Sequence, residues 1–239
     1  MGSRGDTARR LRVHGMRSYQ ELLSNDPAWP ALEKGAWESG RVTILPANAD
    51  AARTCLESLQ ITTRSPLGAL AHETGGLLVD CGWVRLFGSG HVRLRRGLGQ
   101  WNMELGIPLG DFLLVGDDVV GGAFAINGGA LGPAAGSIFY FAPDALTWED
   151  MGVGHSEFMQ WIFEGDIGSF YRSMRWPGWE ADIGQVGGDQ ALSLYPPPWT
   201  VEGKDLSKVS RRAVSVTEVW TIQQEFARQI AASPPSTSS

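Results

Sequence analysis

Read from the N-terminus, apolar residues first recur at helical spacing and then, past Leu67, condense into short runs. Ser18 and Glu21 form a capping box that can satisfy the first free N–H groups of a helix, and Asn25-Asp26-Pro27 stops it early. A second helix is predicted from Pro30, in its first turn, to Glu38. The β-branched content of Arg41–Leu45 predicts a strand. Asn48 then caps a helix whose apolar residues Ala52, Cys55, Leu56 and Leu59 share one face.

From Leu67 the pattern predicts strands at Leu67–His72, Leu77–Cys81 and Val84–Phe87, with Gly75-Gly76 and Gly82 as turns. Leu113–Val115, Ala123–Ile126 and Ser137–Ala142 continue the sheet. Several of these runs are unbroken rather than alternating, which predicts helices over at least one face. Ser156 is expected to cap a helix that buries Phe158, Met159, Ile162 and Phe163; Gly165 ends it, and Asp166 caps a further turn reaching Met174. ALSLYPPPWT reads as a strand halted by three prolines. Ser215 and Glu218 form a second capping box, opening a C-terminal helix with Val219, Ile222, Phe226 and Ile230 on one face.

Helices, then strands, then helices make an α+β fold: a mainly antiparallel or mixed central sheet flanked by N- and C-terminal helices. The expected layout is one domain over residues 16–232, between a disordered N-terminal extension (1–15) and a disordered tail (233–239).

Composition narrows the partners. The net charge of −6 argues against nucleic acid, whose phosphates call for clustered Lys and Arg. No apolar run is long enough to span a bilayer, and the charged N-terminus is not a secretory signal, so a cytoplasmic protein is expected. Cys55 and Cys81 lie in apolar surroundings and read as small buried thiols of a reduced protein; a disulfide between them is the alternative. Ten tryptophans supply large apolar area, mostly as core.

The candidate chemistry centres on Gly116-Asp117-Asp118-Val-Val-Gly121-Gly122. Read structurally, the aspartates cap turn N–H groups while a glycine bends the backbone. Read chemically, they form a metal clamp or acid/base pair, with His91 or His155 as acid. Neighbours on a strand point to opposite faces, which favours the structural reading. His72, His91 and Asp117 are a second candidate metal set, and no motif requires a metal or a cofactor. Arg85, Arg93, Arg95 and Arg96 cluster around GSGHVRLRRG, either as a solvated loop or as a phosphate or carboxylate clamp built on Arg93 and Arg95. Trp176-Pro-Gly-Trp179 either presents rings to a sugar or protein, or clamps a helix end to the core.

The strings ITTRSPLGALAHETGGLLVDCGWVRLFGSG, FLLVGDDVVGGAFAINGG, IFYFAPDALTWEDMGVGHSEFMQWIFEGD, RWPGWE and SRRAVSVTEVW resemble one uncharacterised bacterial family, domain of unknown function 2625. The resemblance spans about Met16 to Ile230. More distantly, the Gly-Asp turn, the IFYF strand and the EFMQWIFEGD helix are similar to the SUKH superfamily, which includes immunity proteins of toxin systems. This resemblance implies a SUKH-like helix-flanked sheet and, by analogy, protein binding; it brings no catalytic residues. The expectation is a non-enzymatic interaction protein whose acidic surface suits a basic toxin or nuclease, with Trp176 and Trp179 as anchors. The alternatives are an enzyme for a small anionic substrate, using Asp117 or Asp118 as base, and a carbohydrate-binding module built on the tryptophans.

Overall fold

A computed structural model describes residues 15–108 and 110–232. The expected extension at 1–14 and tail at 233–239 lie outside these residues, whereas Gly15, placed with the extension, is described and exposed. The elements run α1 (Tyr19–Leu22), α2 (Trp29–Ser39), β1 (Val42–Pro46), α3 (Ala49–Leu59), α4 (Pro66–Glu73), β2 (Thr74–Val79) and β3 (Val84–Phe87). Next come α5 (Leu98–Glu104), β4 (Phe112–Asp118), β5 (Ala123–Asn127), β6 (Ser137–Ala142) and β7 (Thr147–Gly154). The chain closes with α6 (His155–Glu164), α7 (Ile167–Phe170), α8 (Trp179–Ile183), β8 (Gln190–Tyr195), β9 (Ser210–Ser215) and α9 (Val216–Ala232). β1 to β7 form one antiparallel sheet in chain order, and β8 pairs with β9 in a separate hairpin. The α+β class and the single domain follow directly. Among the described residues no helix is long and apolar enough to cross a membrane.

Local chemistry explains most of the helix starts. Ser18 and Glu21 make the capping box, with the Ser18 N–H donating to Glu21 at 2.8 Å. The Asn48 side chain accepts from the Asp50 and Ala51 N–H groups at 3.1 Å. Leu67–His72, expected as a strand, is instead the body of α4. Ser65 accepts from the Gly68 N–H and Pro66 opens the first turn, so an N-cap and an N1 proline outweigh the apolar run. Gly75 and Gly76 are not a turn either, since both lie inside β2. A Cβ on Gly76 would stand 2.7 Å from Leu94, and one on Gly75 2.7 Å from the Gly90 carbonyl, so close approach requires glycine there. The α6 helix starts earlier than expected, with Gly154 rather than Ser156 at its N-cap and Glu157 accepting the Gly154 N–H.

The sheet is covered on both faces. Phe124 and Tyr140 point to one side, where Phe124 meets Phe158 of α6 at 5.0 Å and Tyr140 meets Phe170 of α7 at 5.1 Å. Phe141, next to Tyr140, points the other way and meets Trp220 of α9 at 5.9 Å. Phe158, Met159, Ile162 and Phe163 are buried as expected, each such side chain contributing about 1.5–3 kcal/mol. The C-terminal stripe behaves differently. Val219 is buried, but Ile222, Phe226 and Ile230 are exposed, and Gln223 takes the inward position instead. Strands β7 and β9 carry no periodic apolar pattern and were not expected from the sequence, nor was the short helix α5, although its buried Leu98 and Trp101 fall at helical spacing.

Candidate functional site

The paired aspartates end strand β4, and the turn lies beyond them at Val119–Gly122. As neighbours on a strand they face opposite sides of the sheet. Asp118 is fully buried on the α6–α7 side. One carboxylate oxygen accepts from the Val120 and Gly122 N–H groups at 3.0 and 2.8 Å; the other accepts from the Tyr140 and Tyr171 hydroxyls at 2.7 and 3.1 Å. Burial pushes its carboxyl upward, opposed by the Tyr140 and Gly122 hydrogen bonds. Burial likewise drives both phenols well above their ordinary value, so they stay protonated donors. Gly122 is required here, because a Cβ would overlap both the Asp118 carboxylate and the Tyr140 hydroxyl. Asp118 therefore caps a turn and ties two strands to α7.

Asp117 lies across the ladder from Arg85, on the other face. It receives the Arg85 Nε at 2.6 Å and an Arg96 Nη on its second oxygen. Arg85 also donates to the Gln190 and Asp118 carbonyls, and Arg96 to the Gly188 carbonyl and the Asp189 carboxylate. The Arg96 guanidinium further lies over the Phe87 and Trp101 rings, at 5.0 and 5.4 Å. Two buried arginines are thus balanced by Asp117 and Asp189. Asp189 was missed in the sequence, where Val-Gly-Gly-Asp looks like any turn; only the fold brings it ninety residues back to Arg96.

Of the expected arginine cluster, then, Arg85 and Arg96 are buried structural charges rather than part of a solvated loop. Arg93 and Arg95 alternate with buried Leu94 and Arg96 and stay exposed. They line a cleft of about 630 Å³ between the His91–Leu94 turn, the 183–190 loop and Cys81. Cys81 is exposed, against the expectation of a buried thiol, because Asp80 and Cys81 adopt left-handed φ values of 47° and 59° that turn the chain outward. Both cysteines are free. Cys55 is the buried one, its thiol pushed up by desolvation at the floor of an apolar groove of about 740 Å³ between α3 and α5.

The tryptophan pair does not stand out as two ring anchors. Trp176 is buried, donates to Asp182 at 2.7 Å and is covered by the Arg211 guanidinium at 4.0 Å. Trp179 is half-buried, edge-on to Trp83 at 5.1 Å, with the Arg175 guanidinium stacked on it at 4.1 Å and held by Asp80 at 2.6 Å. The motif clamps α8 onto the core. The histidines are dispersed. His72 bonds Tyr19 and Glu73, His91 accepts from the Arg93 N–H, and His155 packs beside Phe158, where desolvation lowers its imidazole to about 4. Neither aspartate shares a hydrogen bond with a histidine. Among the described residues no group of three or more His, Cys, Asp or Glu is placed to hold a metal ion.

Charge is distributed unevenly along the fold. Gly97 to Tyr171 contains no Lys or Arg, yet carries exposed Glu104, Asp111, Asp144, Glu149, Asp150, Glu157, Glu164 and Asp166. Six of these lie on the β6–β7 turn, β7, α6 and the residues just after it. Among the described residues β7 pairs only with β6, so it forms an open edge of the sheet with Glu149 and Asp150 exposed along it.

Residues 19–219 match the family described as protein of unknown function DUF2625. The chain is 41% identical to an uncharacterized protein, YbfG, of Escherichia coli strain K12 over 213 residues, covering 88% of this chain and 97% of that one. It is 35% identical to an uncharacterized protein of Haemophilus influenzae over 187 residues, 76% of this chain and 82% of that one. No solved structure matches. With the family match running from the first turn of α1 into α9, this chain belongs to the DUF2625 family.

Proposed function

We propose that this chain is a non-enzymatic, cytosolic protein-interaction protein that takes a basic protein partner on the acidic edge of its sheet. The observation that carries this reading is β7: an unpaired edge strand bearing Glu149 and Asp150, inside a stretch with no compensating cation. An edge strand offers backbone N–H and C=O groups to a partner, and its carboxylates select for a basic one while discouraging self-association. Asp150 is suited to that task, because hydrogen bonds from the Ser137 hydroxyl and the Gly152 N–H hold its carboxyl below the usual range and keep it charged. The sequence resemblance to the SUKH superfamily supports an immunity-type role, in which the protein covers the working surface of a toxin or nuclease. The enzyme reading has less support, since Asp117 and Asp118 are each occupied by structural donors.

The test is affinity capture from the native host with the tagged wild-type chain and with the E149K/D150K variant. A stoichiometric partner with a strongly basic surface, retained by the wild type, lost from the variant and released by salt, is the expected result. Finding no such partner, or one held equally by both chains, overturns the reading.

A further inference from the structure

We propose that the cleft bordered by Arg93 and Arg95 binds a small organic anion, a phosphate ester or carboxylate whose acidic group sits between the two guanidinium groups. The site is separate from the β7 edge and does not rest on the reading above.

Three observations converge on it. First, the backbone aims these residues. The His91–Leu94 bridge closes a tight turn that puts Arg93 at its exposed tip, and just past it Arg95 is exposed between buried Leu94 and Arg96. The opposite wall is fixed just as firmly: the Arg95 N–H donates to Asp189, and Gly188 lies so close to the Arg93 carbonyl that a Cβ would overlap it. Second, the charges do not cancel. Arg85 and Arg96 at the back of the cleft are matched by Asp117 and Asp189. Among the described residues, Arg93 and Arg95 have no carboxylate within ion-pair distance, in a chain whose net charge is −6. Two uncompensated guanidiniums on one concave wall are an oxyanion clamp, because each offers forked N–H donors. Third, the cleft's volume of about 630 Å³ falls within the range of small-ligand sites, and Val92, Ile183 and Val186 add apolar lining beside the arginines. An organic anion matches that mixture better than a bare inorganic ion.

Cys81 supplies the readout, since it is exposed and lines the same cleft, whereas Cys55 is buried. The native protein is treated with the neutral reagent N-ethylmaleimide, and the rate of modification at Cys81 is followed by peptide mass spectrometry. Phenyl phosphate, inorganic pyrophosphate and citrate are compared with sodium chloride at equal ionic strength. At saturating ligand the Cys81 rate should fall roughly fivefold or more, as expected of a site occupied most of the time. The probe that protects identifies the class, phenyl phosphate for a phosphate ester and citrate for a carboxylate, whereas protection by pyrophosphate alone overturns the assignment to an organic anion. Protection should vanish in the R93A/R95A variant, whose side chains are exposed and whose melting temperature should stay at the wild-type value. Calorimetric titration of the wild type with the same anions gives an answer independent of the variant. If no anion slows modification beyond the chloride control and no heat of binding is measured, the proposal fails. It fails equally if R93A/R95A remains protected.

Discussion

Replacing Asp117 by asparagine isolates the charge that the centre of the fold depends on. The substitution keeps the side-chain shape but leaves two guanidiniums, Arg85 at 1% and Arg96 at 5% exposure, without their shared carboxylate. Asp189 cannot substitute, because it lies 3.4 Å from the Arg96 Nε and is one-third exposed. Removing one partner of a buried ion pair costs about 3–5 kcal/mol, since the remaining charge stays desolvated. For a chain of this size that is a fall in melting temperature of roughly 6–20 °C, at about 2–4 °C per kcal/mol. Asp118→Asn is the comparison. Its four donors are all neutral, and burial already disfavours its charge, so the cost is that of rearranged hydrogen bonds, about 1–2 kcal/mol. Guanidinium chloride unfolding of the wild type and both variants, with slopes compared to verify the same two-state transition, reads both values. A D118N cost equal to or above that of D117N, or a D117N cost below about 1 kcal/mol, would refute the assignment of Asp117 as the counter-charge.

Two further outcomes follow from the same geometry. His155 is held near 4 in the folded chain against 6.5 when free, so it binds fewer protons folded than unfolded between those values. Its contribution is complete above pH 6.5 and is lost as pH falls toward 4, with a ceiling of roughly 3 kcal/mol at about 1.4 kcal/mol per pKa unit. Thermal melts from pH 7 to 4.5 should therefore show H155Q losing less stability on acidification than the wild type; parallel curves would contradict this. Gly122→Ala forces a methyl into the Asp118 and Tyr140 groups, and overpacking of this kind costs about 1–3 kcal/mol. It should also expose the β4–β5 turn to amide exchange at Val120, whose N–H donates to Asp118, and unchanged protection there would argue against the Asp118 cap.

How much of this protein was readable from the chain depended on how far apart the interacting residues lie. Helix starts built from adjacent groups were legible: the Ser18–Glu21 box and the Asn48 cap are local hydrogen bonds, and the α6 stripe follows from a 3.6-residue period. The same local logic misled at Leu67–His72, where an apolar run resembles a buried strand until Ser65 and Pro66 are weighed. The polar edge strand β7 carries no period at all, because an open edge faces water on most sides.

The sequence alone determined the α+β class and the buried stripe of α6, since each rests on periodicity; the turn-capping role expected of both aspartates holds for Asp118, whereas Asp117 is held by the distant Arg85 and Arg96. Only the tertiary structure decided which charges are spent and which are free. Asp189 reaches Arg96 from ninety-three positions away, and that pairing leaves Arg93 and Arg95 unmatched at the cleft wall. The fold likewise buries Trp176, turns Cys81 outward and leaves the Ile222–Phe226–Ile230 face uncovered. Charge balance, and the exposure of side chains outside a clear periodic stripe, are set by which distant segments the sheet brings together, and no local pattern encodes them.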